Sequence, residues 1–304
     1  MRDAFIQTLS ELAERDPKVL LITGDLGFKV FDDYCERFPN QFLNVGIAEQ
    51  NMTGVATGMA LEGWTVFTYS IGNFPTLRCL EQIRNDACYH GANVKVVCIG
   101  GGFSYGALGI SHHATEDLAI LRALPDITVT VPSDLYEVRE ATKAIYETPG
   151  TCYLRLDRAA GSERPTPQFE LGKMRRHKEG SEVAFLCCGG VLEEAMIAAR
   201  LLDDAGYSSS VCSVHTLKPL DQETILATAR SVRALFTLEE HTVEGGLGGA
   251  VSEVLVESGI ALPTFRRLGL RSGFSSLVGS QEYLRQQYGI DGKSIFQEAL
   301  KILT

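Results

Sequence analysis

Glu49 stands where a carboxylate is out of place. In the stretch Asn44 to Met59, NVGIAEQNMTGVATGM, it falls three residues before Met52 and seven before Ala56, on the stripe that a helix would bury. Burial costs a carboxylate roughly several kcal/mol unless a donor meets it. The residue therefore calls for a partner that shares a proton or a hydrogen bond; the plainer alternative is an acid stabilised at a helix N-terminus by the dipole. A second concentration of chemistry is GGGFSYGALGISHHATED (100–117). Its three consecutive glycines let backbone approach a ligand closely, and Gly106 and Gly109 keep the loop compact. Ser111, His112 and His113 precede a capping signature, Thr115-Glu116-Asp117, that opens a helix. Adjacent histidines cannot share a face, so one of the two points into a given site. A polar surface loop is the alternative.

Two further turns complete the set. TGDLG (23–27) follows an apolar run, and EEHTVEGGLGGAV (239–251) could cradle a phosphate at a helix N-terminus. The latter lacks the Lys-Ser/Thr of a P-loop, and its glycines do not match G-x-G-x-x-G after a first strand.

The elements that must position these residues are legible as an alternation. VLLIT (19–23), TVFTY (65–69), VKVVCIG (94–100), ITVTVP (127–132) and TCYLRL (151–156) read as buried strands. Helical patterns lie between them at 3–14, 48–61, 74–90, 116–123 and 134–147. Such alternation predicts an α/β fold with a mostly parallel sheet flanked by helices, whose ligands sit beyond the carboxyl ends of the strands. Residues 159–181 are polar, carry two prolines and lack an apolar period. Beyond them the alternation resumes with strands at 183–188, 208–214, 234–240 and 262–270. Helices are expected near 191–206, 221–231 and 248–258, with two more at the end. The division is a first domain over 1–164, a linker over 165–181 and a second α/β domain over 182–304.

Composition narrows the function classes. The chain has 304 residues, 45% hydrophobic and 22% charged, the profile of a globular protein with a full core. A net charge of −10 without a basic run argues against nucleic acid or an anionic membrane as partner. No apolar stretch is long enough to span a bilayer, and the N-terminus reads as an amphipathic helix without a signal-peptide core. The eight cysteines form no C-x-x-C pair and sit mostly in apolar runs, as reduced core residues of a cytoplasmic protein do.

Taken in order, GIAEQNMTGVATGMALEGWTVFTYSIGNF, GISHHATEDLAILRALPDITVTVPSD, HTLKPLD and EEHTVEGGLGGAV resemble the transketolase family, over its pyrimidine-binding and C-terminal domains. Their spacing agrees across about 200 residues, more than a chance motif match gives. The family's diphosphate-binding domain, with its G-D-G…N metal motif, has no counterpart here. The resemblance is therefore to the C-terminal subunit of a split transketolase. It implies thiamine diphosphate as cofactor, with Mg2+ held mainly by a separate diphosphate-binding subunit in an α2β2 assembly.

What the resemblance implies for residues is specific. Glu49 takes the place of the glutamate that bonds the ring nitrogen of the aminopyrimidine and favours its imino tautomer, so that the exocyclic nitrogen acts as internal base. Phe74 and Ile71 stand at the positions of aromatics that wall the pyrimidine, although Phe74 could equally be core. Asp25 matches an aspartate near the cofactor, or is a turn residue. His112 aligns with a histidine that contacts sugar hydroxyls and moves protons, with His113 as runner-up. Arg158 aligns with an arginine that holds a substrate phosphate, with Arg155 nearby. Lys29 stands where a small hydroxyl residue is frequent and could meet an anion, or be a solvated lysine. His241 and Glu244 suit helix capping or an interface. Two departures bear on substrate: Leu108 replaces an aspartate four residues before the sugar histidine, and Gly100 replaces a histidine twelve residues before it.

The expected activity is transfer of a two-carbon ketol unit from a ketose to an aldehyde acceptor. The alternatives are a decarboxylating relative, similar to deoxyxylulose-phosphate synthase or the β subunit of a 2-oxoacid dehydrogenase, and a non-catalytic regulatory subunit.

Overall fold

A computed structural model describes every residue except 28, 159–161, 166 and 272. The first half runs α1 (Arg2–Arg15), β1 (Val19–Thr23), α2 (Asp32–Arg37), β2 (Phe42–Asn44), α3 (Glu49–Leu61) and β3 (Thr65–Ile71). It continues through α4 (Leu80–Gln82), β4 (Val94–Ile99), α5 (Asp117–Ala123), β5 (Ile127–Thr130), α6 (Leu135–Glu147) and β6 (Thr151–Leu156). The second half runs β7 (Arg175–Lys178), β8 (Val183–Cys187), α7 (Leu192–Asp204), β9 (Ser209–Ser213), β10 (Thr216–Lys218) and α8 (Gln222–Ser231). Then come β11 (Ala234–Thr242), α9 (Leu247–Glu257), β12 (Thr264–Leu270), α10 (Gln281–Gln287) and α11 (Gly292–Leu303).

Two sheets result, ordered β10-β5-β6-β4-β3-β1-β2 and β12-β11-β8-β9-β7. Every pairing is parallel except β10 on β5 and β7 on β9. The strands β1, β4 and β6 are buried along their whole length because helices cover both faces. Alternate residues feed two cores: Leu21, Phe67, Tyr69 and Val97 pack with α1 and α6, whereas Leu20, Ile22, Val66 and Val96 pack with α3 and α5. That second core continues into the second half through Leu186, Cys212, Leu247 and Val251, so the two sheets share one apolar cluster. Among the described residues no helix is long and apolar enough to cross a membrane.

The α/β alternation is present as the sequence reading expects. Three details differ. The 165–181 segment, expected as a linker, contributes β7, whose Arg175 pairs with Ser213 and is buried. TLK of the HTLKPLD motif crosses back as β10 to edge the first sheet, Thr216 opposite Thr130. The helix expected over 74–90 starts later and changes pitch along its length: a 3-10 turn, Leu77–Cys79, leads into α4 and then a π-helical stretch, Ile83–Cys88.

Candidate functional site

Glu49 opens α3 at the carboxyl end of the first sheet, its cap residue Ala48 giving no side-chain bond. Its side chain is 3% exposed, and Oε2 accepts from Nη1 of Arg78 at 2.7 Å. Arg78 is itself 45% exposed and lies over the Phe74 ring at 4.6 Å. The turn after β1 closes on the same place: a Cβ at Gly24 would lie 3.4 Å from Cγ of Glu49. Asp25, exposed and at φ 57°, exchanges bonds with Asn44, whose Oδ1 accepts its N–H at 2.9 Å. Ile71 ends β3, half-buried against the α1 and α6 core.

The histidine loop is tied at its neck. Gly102 and Ala114 exchange two backbone bonds, N–H to O at 2.8 and 3.0 Å. Above the neck the two histidines part. The His112 ring meets Phe74 edge-on at 5.2 Å and Tyr105 at 6.1 Å, with Nδ1 3.0 Å from Ser111 Oγ. His113 is wholly buried, perpendicular to Phe103 at 5.1 Å, with Nε2 3.2 Å from the Gly106 carbonyl and Nδ1 unpartnered. Burial, then the neighbouring His113, pushes the His112 imidazole below its ordinary pKa.

Arg158 and Arg155 part in the same way. The Arg158 guanidinium lies over Tyr105 at 5.3 Å and faces solvent. It lines a cavity of about 470 Å³ with Arg2, Gln7, Tyr105, Leu135 and Arg139. Arg155 is buried, 3.6 Å from Asp117, and donates to the carbonyls of Ala114 and Glu240. An adjoining opening is shared by Arg2, Ser104, Tyr105, Leu108, Arg158 and Gln281. Contacts thus run unbroken from Glu49 through Arg78, Phe74, His112 and Tyr105 to Arg158. Lys29 lies outside both openings, exposed at φ 63°, its N–H bonded to Asp32.

Arg78, Tyr105, Arg2 and Gln281 escape sequence reasoning. Arg2 begins an amphipathic helix and reads as a solvated cation; only the fold carries it to Arg158. The departures at Gly100 and Leu108 have physical form. Gly100 sits at φ 92°, and the Tyr105 ring occupies the place of any Cβ there. Leu108 is 57% exposed at the rim.

The glycine clusters correct an expectation. A Cβ on Gly101 would overlap Arg155, one on Gly102 would come within 2.5 Å of Glu240 Oε1, and one on Gly106 within 2.5 Å of Leu284. These glycines admit the protein's own side chains rather than a ligand. The phosphate cradle expected at EGGLGG is likewise filled: Glu239 accepts from the N–H groups of Leu247 and Gly248 at 2.7 and 2.8 Å. His241, pushed down to about 4 by burial and so neutral, takes the Ala119 N–H of α5 at 3.4 Å, while Glu244 is exposed. Asp134, Glu137 and His177 bring ligand atoms within 4.8 Å of one another, but Arg175 already holds that place at 2.7 Å from Glu137.

Known proteins share this architecture and much of its sequence. The transketolase pyrimidine binding domain family matches residues 1–162, and the transketolase C-terminal domain family matches 172–295. The chain is 34% identical to the 6-deoxy-6-sulfo-D-fructose transketolase subunit SqwH of Clostridium sp. (strain MSTE9), over 99% of this chain and 94% of that one. It is 32% identical to one of the subunits of the apulose-4-phosphate transketolase of Phocaeicola vulgatus, over 99% and 97%. A solved structure described as a split gene transketolase, inactive beta4 tetramer, superposes with a TM-score of 0.90 at 35% identity, covering 99% and 97%. The chain belongs to the transketolase family.

Proposed function

We propose that this chain is the pyrimidine-binding and C-terminal subunit of a split, thiamine-diphosphate-dependent transketolase. In this reading a separate diphosphate-binding subunit completes an α2β2 assembly and holds the Mg2+. The observation that carries the reading is Glu49, a carboxylate 3% exposed whose ion-pair partner, Arg78, is a half-exposed side chain free to yield its place. A buried acid beside a half-buried aromatic, Phe74, suits an aminopyrimidine, which offers a ring nitrogen to one and a flat face to the other. Thiamine diphosphate, when bound, supplies a carbanion at C2 of its thiazolium ring, the nucleophile that ketol transfer needs.

The chain's own residues then divide the work. Glu49 holds a proton at the pyrimidine ring nitrogen, and Phe74 and Ile71 wall the ring off from water. Asp25 fixes the turn that packs on Glu49. His112, neutral at pH 7, accepts or returns a proton at a substrate hydroxyl. Arg158, with Arg2 across the same cavity, binds an anionic group at the far end of the substrate. Two relatives support that last assignment, one named for a sulfo-sugar and one for a sugar phosphate. His113 is assigned to the core of the loop and Lys29 to no contact. The solved relative, inactive as a tetramer of β subunits, supports the need for a second kind of subunit.

The test is co-expression with a diphosphate-binding transketolase subunit, followed by thiamine-dependent ketol transfer over a panel of ketoses and aldehydes. Glu49→Ala is expected to weaken thiamine diphosphate binding by about ten- to a hundredfold, as loss of a bond to a charged group does. Full activity of that variant overturns the assignment, and release of carbon dioxide from a 2-oxoacid selects a decarboxylating enzyme instead.

A further inference from the structure

The second domain does more than cover an apolar face, because its strand β11 reaches the neck of the histidine loop. Side chains alternate along β11, so Glu239 and His241 point one way and Glu240 the other. Glu240 Oε1 accepts the Phe103 N–H at 2.5 Å and the Gln281 side-chain amide at 2.7 Å, while Oε2 accepts Nε of Arg285 at 2.5 Å. The Glu240 carbonyl takes the Arg155 guanidinium at 2.9 Å, and the same nitrogen donates to Ala114, the residue after His113. One residue of the second domain thus grips both sides of the Gly102–Ala114 neck. The Phe103 ring adds a second hold, packing with Leu270 and Leu284 and stacking on Tyr288 at 5.3 Å. Its other edge meets His113, whose Nε2 fixes the Gly106 carbonyl.

Geometry leaves the loop little freedom. Gly102 lies at φ 59° and its missing Cβ is the space Glu240 occupies; Gly106 is pressed against Leu284 and the Gly279 carbonyl. With the neck fixed, the position of His112 between Phe74 and Tyr105 follows from the short stretch of chain that the neck encloses. A carboxylate is needed at Glu240 because three donors converge on its side chain. A neutral amide could accept fewer of them and would turn its own N–H groups toward Arg285 or Gln281.

We propose that Glu240 is a positioning residue through which the second domain sets the placement of the His112 loop. It touches neither substrate nor cofactor. For its catalytic consequence the proposal rests on the reading of His112 given above; the placement itself is measurable without any activity. The experiment compares the full chain with Glu240→Gln and with the milder Gln281→Ala, which removes one of the three side-chain bonds to Glu240 and a long contact, 3.5 Å, to Ser104, so that the Phe103 N–H, bonded to Glu240 alone, is the deciding probe. Amide exchange is followed at Phe103 and across 100–117, with β1 and α3 as internal reference. Glu240→Gln is expected to speed exchange at Phe103 and in the loop by about ten- to a hundredfold, the worth of a bond to a charged group, with the reference unchanged. Gln281→Ala is expected to act in the same direction by less.

In the assembly with a diphosphate-binding subunit, the same variants are expected to lower kcat about tenfold or more with thiamine diphosphate affinity unchanged, since Glu49 and Phe74 lie on other elements. Unchanged exchange at Phe103 in both variants overturns the proposal. So does exchange that rises equally in the loop and in β1 and α3, which marks general destabilisation. Faster loop exchange with kcat intact keeps Glu240 as the loop's anchor and overturns its catalytic consequence, which separates this proposal from the assignment of Glu49. If Glu240→Gln fails to fold, Gln281→Ala decides alone: exchange at Phe103 confined to the loop supports the proposal and no change overturns it.

Discussion

Arg175→Ala should be strongly destabilising although it lies outside the apolar core. Arg175 is wholly buried on β7, with Nη1 2.7 Å from Glu137 and 3.3 Å from Asp134. Its other nitrogens donate to the carbonyls of Pro167 and Arg164, so one guanidinium ties those two residues to the start of α6. Burial alone would raise the Glu137 carboxyl, but its neighbours His177 (3.6 Å), His215 and Arg175 and the Ser133 N–H outweigh it and hold Glu137 at about 2. Asp134 goes the other way, raised by burial and by Glu137, because the guanidinium sits closer to Glu137. A carboxyl held at about 2 instead of 4.5 corresponds to roughly 3 kcal/mol for all these partners together, net of burial, and Arg175 supplies only a part of it. The expected loss rests on the geometry instead: breaking a buried ion pair from one side costs about 3–5 kcal/mol.

The sign follows from the depression of the pKa. The stabilisation is present above about 4.5 and is lost as pH falls toward about 2. The assay is urea unfolding of wild type, Arg175→Ala and Arg175→Ala with Glu137→Gln. At pH 7 the single variant should lose about 3–5 kcal/mol, and the double variant should recover part of it because only one of the two buried carboxylates, Asp134, is then left without the guanidinium. From pH 7 down to about pH 3 the gap between wild type and Arg175→Ala should narrow, since protonating Glu137 removes both the wild type's attraction to Arg175 and the variant's buried unpaired charge. A loss at pH 7 below about 1 kcal/mol, the size of an exposed pair, would refute the argument.

Three more outcomes are expected. Gly102→Ala must place a Cβ 2.5 Å from Glu240 at φ 59°, and thermal unfolding should show about 1–3 kcal/mol lost; an unchanged midpoint would mean the neck is not packed as described. The Hε1 resonance of His112 should titrate below the range of a free imidazole, since burial opposes its charge; a midpoint at or above that range would remove it as a neutral proton acceptor at pH 7. In the assembled enzyme, Arg158→Ala and Arg2→Ala should raise KM for an anionic ketose by about ten- to a hundredfold with kcat kept. A fall in kcat at constant KM would place those arginines elsewhere.

What could be read from the sequence follows the physics of each element. Strands such as VLLIT are buried on both faces and show as unbroken β-branched and aliphatic runs. RRHK and TLK do not, because β7 and β10 are short antiparallel edges whose strand character comes from the neighbour they pair with. Glu49 announces itself since a charge on a buried stripe is an anomaly. Arg78, its partner, is an ordinary loop cation until the chain folds it over Phe74. Arg2 and Arg158 are separated by nearly the whole first domain, and no local pattern joins them.

The glycine-rich turns show why the remainder stays hidden. Glycine at a strand end signals that something approaches the backbone closely, but not what. At α9 the approaching group is the carboxylate of Glu239, which meets the free N–H groups of Leu247 and Gly248 in the way a phosphate would. At Gly102 it is Glu240. Two adjacent acids on one strand therefore occupy two of the glycine turns that the sequence offers to a ligand. In the proposed function the recognition of small molecules falls between Glu49 and Arg158, and β11 is left to recognise the protein's own backbone. A carboxylate and a phosphate present the same acceptors to a glycine turn, so only the fold can say which of them is there.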